Sequence, residues 1–185
     1  MIDLAVPFGW SSLERAFGLP WTHEYLQDLF AQARVDSSAV MREVSVGIES
    51  MPPHDVEPPS MAEIDLTDTH HVRLRFRDPG SLARPPSDHR GAKVLAAVTY
   101  FLDPINPTRG YQGPLPFNIT STDSAEDIER RMGRAPTDAS LDPERRFGFV
   151  SWEDCSPAVH ALLTMPSQRV ARVTAYLPTI DRSAE

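Results

Sequence analysis

The chain has 185 residues, a single cysteine and a net charge of −8. That length suits one compact domain or two small packed halves, which bury about two thirds of the unfolded surface and need no metal or disulfide to fold. The lone Cys155 excludes an intramolecular disulfide and fits a reducing compartment, and the acidic balance argues against nucleic acid, whose phosphates require clustered Lys and Arg.

The opening residues Met1 to Pro7 carry neither a basic stretch nor a long apolar core, so no signal peptide is expected. No apolar run approaches about 18 residues, so no membrane span is expected and the cytoplasm is the expected location. A helix is predicted over 11–17, with Ser11 as N-cap and Glu14 completing a capping box, stopped by Gly18 and Pro20. A second runs from Thr22 to about Ala33, where Tyr25, Leu26, Leu29, Phe30 and Ala33 form one apolar face. Val40 to Ile48 is a strand candidate.

Residues 51–60 hold four prolines and two acids and form a loop. Val72 to Arg77 alternates strictly, with Val, Leu and Phe on one face and three arginines on the other, so this strand is covered on one side only. Residues 78–91 form a loop, and Lys93 to Leu102, almost continuously apolar, reads as a central strand. Ser121 or Ser124 caps a further helix, with Ile128 and Met132 on its apolar face and Gly133 at its end. A polar loop over 134–145 precedes strands at 146–152, 158–164 and 169–177. The middle one is open to a helical alternative, because Pro157 suits a first helical turn. In the last, Val170, Val173 and Ala175 break strict alternation and imply a bulge or burial on both sides.

Charge is uneven. Residues 1–104 hold 15 acids against 9 basic residues, and residues 105–185 hold 11 against 9. The stretch 43–72 carries seven carboxylates and no Lys or Arg. Such a field attracts a basic partner and speeds its encounter, or it merely solvates a loop.

Catalytic and metal signatures are missing. None of the six histidines forms a His-Glu-x-x-His pair, and the doublet His70-His71 points to opposite faces of any regular strand. There is no nucleophile elbow and no phosphate-binding glycine loop. Cys155 stands beside Glu153 and Asp154, which disfavour its thiolate. The expectation is a binding protein rather than an enzyme, with no cofactor and no metal.

The segment 110–136 contains Tyr111-Gln112-Gly113-Pro114-Leu115-Pro116-Phe117, then a capped helix ending at Met132-Gly133-Arg134-Ala135-Pro136. This resembles a Tyr-x-Gly-x-Leu-Pro-Phe … Leu-Gly-x-Pro pattern in bacterial immunity proteins of polymorphic-toxin and type VI secretion loci. Leu13 to Pro20, His71 to Phe76, Val94 to Phe101 and Arg169 to Thr174 are similar to further parts of that pattern. Physically, Gly110, Gly113, Pro114 and Pro116 stiffen a connector, and Phe117 and Ile119 are expected to pin it to the core.

The expected fold is α+β, in two related halves, 1–104 and 105–185, each with short helices on an antiparallel sheet. The resemblance implies a cytoplasmic immunity protein that occludes the active site of a cognate toxin. An adaptor for a secreted effector, or a small enzyme reversing a toxin's modification, stays open. Given the acidic stretch, a partner with a basic surface is expected at Asp55, Glu57, Glu63, Asp65 and Asp68, with Trp152, Glu153 and Asp154 as a second contact.

Overall fold

A computed structural model describes residues 8–44, 61–86 and 92–180. The proline-rich loop 51–60, with Asp55 and Glu57, lies outside the described residues. The fold is α+β: one antiparallel sheet of eight strands carries a few short helices. The strands are β1 Met41–Val44, β2 Met61–Leu66, β3 Val72–Arg77, β4 Val94–Phe101, β5 Asp138–Ser140, β6 Phe147–Trp152, β7 Ala158–Thr164 and β8 Arg169–Tyr176. They lie in the order β1-β2-β3-β4-β8-β7-β6-β5, so β4 and β8 meet at the centre.

The helices are α1 Trp10–Leu13, α2 Glu24–Gln32, α3 Ser37–Val40, α4 Thr67–His70 and α5 Ala125–Met132. Leu13, Leu26, Phe30 and Ile128 join one core with Ile64, Leu74, Val98, Val173, Ala161 and Val150 of the sheet. The principal helices therefore cover one face, and the alternating partners of those strand residues form the other. This one-sided burial follows from the period-two pattern read in β3.

Helix α5 forms as its sequence dictates. Ser124 Oγ accepts from Asp127 N at 3.2 Å, and Asp127 Oδ2 accepts from Ser124 N at 3.0 Å. Gly133 ends the helix at φ +70°, a left-handed position that glycine takes without strain. The N-terminal helix differs from its expectation. It starts at Trp10 behind Gly9, without a side-chain cap, and continues as a 3-10 turn over Glu14–Ala16. Ser11 thus sits inside the first turn and no Ser11–Glu14 box forms. The end is set by tertiary pairing, since Gly18 N donates to Leu95 O and Leu95 N to Leu19 O, both at 2.9 Å. In α2 the cap is His23, whose Nδ1 accepts from Tyr25 N at 3.2 Å, in place of Thr22.

Two strands fall where none was expected. β2 occupies part of the acidic stretch and β5 part of 134–145. Residues 158–164 form a strand, not a helical turn, and β8 carries the expected bulge: Leu162 faces Arg172 while Leu163 faces Val170. A similar irregularity leaves Ala96 of β4 unpaired between Arg75 and Phe76. In the connector, a Cβ at Gly110 would run into the backbone of Leu102 and Asp103. Phe117 does not pin this segment: its backbone is left-handed at φ 55° and the residue is 42% exposed. Ile119 does so as expected, joined by Tyr111 and Leu115, and Tyr111 Oη donates to Phe8 O at 3.0 Å.

Candidate functional site

The face not covered by helices is the candidate site. On its β2–β3 side the register sets Glu63 opposite Arg75 and Asp65 opposite Arg73. Charged groups opposed across an antiparallel pair are close enough to bond. Arg73 Nη2 lies 2.8 Å from Asp65 Oδ2 and its Nε 3.3 Å from Glu63 Oε1, while Arg75 Nε is 2.9 Å from Glu63 Oε2. Glu63 and Asp65, expected to attract a basic partner, are thus neutralised within the chain.

Towards the centre the face turns cationic. Arg77 and Arg172 make no ion pair with a described carboxylate. Burial, then neighbouring Arg75, lowers the pKa of Arg77; burial, then Arg75 and Arg73, lowers that of Arg172. Arg172 Nε is buried without a hydrogen-bond partner. Over the small side chains of Ala96 and Ala97, a cleft of about 310 Å³ opens between Arg75 and Arg77 on one side and His160, Thr174 and Tyr176 on the other. Leu177 and Thr179 close one end, where the segment after β8 is held to the 3-10 turn Pro79–Ser81. There Ala83 N donates to Pro178 O at 2.8 Å and Ile180 N to Ser81 O at 3.0 Å.

Beyond the arginines, β6 and β7 give the face an apolar side. Phe149 pairs with Leu162, and Phe149 stacks on His160 with ring centroids 5.3 Å apart. Burial, and next the positive field of Arg172, lowers the His160 pKa. Arg73 lies over the Phe101 ring at 5.2 Å. Guanidinium groups beside half-buried rings form the mixed surface typical of interface contact points.

The expected site residues do not come together. Asp68 is exposed on α4. Trp152 is 0% exposed and donates from Nε1 to Arg134 O at 3.1 Å, so it is a core residue and not an exposed anchor. Glu153 and Asp154 are exposed in the β6–β7 turn, with Asp154 2.8 Å from Arg134. Five strand spacings, roughly 24 Å, separate β2 from β6.

Cys155 packs against the core on the helix-covered side and contacts Arg134, whereas His160 points to the open face. These two groups form no catalytic couple. Among the described residues, no group of three or more His, Cys, Asp and Glu is arranged to hold a metal. No helix among them is long and apolar enough to cross a membrane.

Arg172 was not singled out in the sequence. Its signal was available in the alternation of Arg172, Thr174 and Tyr176, but only the pairing of β8 with β4 brings it to the Arg73–Arg77 stripe. Comparison with protein-family models, with curated proteins and with solved structures yields no match to this chain.

Proposed function

We propose that the protein is a non-enzymatic inhibitor that docks the open face of its sheet onto a cognate bacterial toxin in the cytoplasm and occludes it. The observation that carries this reading is the one-sided sheet. An antiparallel sheet buries one face by necessity, and its second face is free to be shaped for contact. Here that face joins arginines, of which Arg77 and Arg172 make no ion pair with a described carboxylate, to Phe101, Phe149 and Leu162, a composition suited to a protein interface. The resemblance to immunity proteins supplies the toxin. Two related halves fit the same reading. Bulged Ala96 accepts from Leu177 N at 2.7 Å, and bulged Ala171 accepts from Leu102 N at 2.9 Å. Each partner follows the opposite central strand, and Thr99 and Thr174 meet between them with Oγ1 atoms 3.2 Å apart.

The test is recovery of the partner from lysate of the encoding organism with the tagged full-length chain, followed by a toxicity titration. The expected result is a toxin neutralised at equimolar amounts, with Leu162→Asp weakening binding at least about 30-fold, the effect of losing one central contact. A partner that stays toxic in the complex, or that binds Leu162→Asp as tightly as wild type, rules the reading out.

A further inference from the structure

Resting on that docking reading, we propose that the cleft over Ala96 and Ala97 is an oxyanion subsite that takes an acidic side chain of the bound protein. The open face would then select a partner that is acidic at the contact, not basic. Two guanidinium groups, Arg75 and Arg77, line the cleft; Arg172 lies within electrostatic reach of Arg75 and Arg73, and the carboxylates nearby are Glu63 and Asp65. Arg73 and Arg75 hold both carboxylates, which leaves the cation excess on Arg77 and Arg172.

A guanidinium removed from water without an anion is destabilised, and a charge-assisted bond to a carboxylate relieves that cost. Arg77 on the cleft wall carries this deficit: it is partly buried and makes no ion pair with a described carboxylate. Thr174 and Tyr176 add hydroxyl groups on the far wall, and His160 gains a second N–H donor when protonated.

Two observations favour a protein side chain over a polyanion. The net charge of −8 repels an extended polyphosphate at long range. Screening within about 8 Å leaves the local positive site effective only at contact. Next to the cleft, Phe149 and Leu162 continue the face as an apolar strip. The occupant is therefore an acidic segment that also carries apolar side chains.

The test uses the full chain, isotope-labelled, with hexaglutamate, hexalysine and inorganic phosphate as probes. Hexaglutamate is expected to move the Nε–Hε signals of Arg75, Arg77 and Arg172, and the ring signals of His160, saturably. Arg77→Glu should weaken that binding at least about tenfold, corresponding to about 1.4 kcal/mol, with Arg172→Gln as a second variant and thermal melts confirming that both fold. Hexalysine should leave these signals unmoved. Signals unmoved by hexaglutamate would overturn the proposal, and so would phosphate binding as tightly as the peptide. With the captured partner, loss of binding in Leu162→Asp but not in Arg77→Glu sinks this subsite and leaves the docking reading standing. Binding unaffected by either variant removes both.

Discussion

The first four strands and the last four bury similar faces and expose different ones. Under the helices, Ile64, Leu74 and Val98 on one side are matched by Val150, Ala161 and Val173 on the other. On the open side, β2 and β3 carry an ion-paired lattice of Glu63, Asp65, Arg73 and Arg75, whereas β6 and β7 carry Phe149, Leu162 and His160. The covered face is constrained by the free energy of burial and tolerates little beyond apolar side chains. The open face owes stability less, and the chemistry that distinguishes the two regions has collected there.

The comparison breaks most severely at Trp152. As a fully buried side chain on β6, its replacement by Ala should cost about 3–5 kcal/mol, measured by urea unfolding. Leu66→Ala, on the corresponding edge of the first four strands, should cost about 2–5 kcal/mol. Should Trp152→Ala cost under about 1 kcal/mol, Trp152 belongs to the surface after all.

A smaller effect separates the open sides. Glu63→Gln strips the shared partner from Arg73 and Arg75 and should destabilise by about 1–2 kcal/mol at low salt, less at 1 M salt. Leu162→Ser, on the apolar side, should stay within about 0.5 kcal/mol. Equal costs at the two positions would erase the proposed division of labour.

The smallest effect is a titration. Burial first, and Arg172 second, hold the His160 imidazole below its ordinary value, with Asp138 pulling the other way. Because the folded pKa is depressed below the unfolded value of about 6.5, the neutral ring is favoured by folding. Its contribution is complete above that pH and declines as the pH falls towards the folded pKa. Arg172→Gln should raise the His160 pKa part of the way, read from imidazole carbon shifts across pH 4–8; no change would detach His160 from the arginine cluster.

Much of the secondary structure was legible where one physical rule dominates. Val72 to Arg77 alternates, Val94 to Phe101 is nearly all apolar, and Ser124 to Gly133 carries its own cap and stop. β2 was not legible, because Glu63 and Asp65 read as acids for a basic partner until Arg73 and Arg75 stand opposite them. Trp152 beside Glu153 and Asp154 reads as an exposed anchor, and Phe117 reads as a core pin; burial reverses the two.

By itself the sequence determined the α+β class, the one-sided arginine strand and a helix capped at Ser121 or Ser124 and ended by Gly133, since each depends on contacts within a few residues along the chain. Only the tertiary structure decided that the acids of β2 are already paired, that Trp152 is core, and that Arg172 comes within electrostatic reach of Arg73 and Arg75. Those outcomes depend on which strands become neighbours. Strand order is settled by burial of the whole covered face at once, a sum over distant residues that no local pattern records.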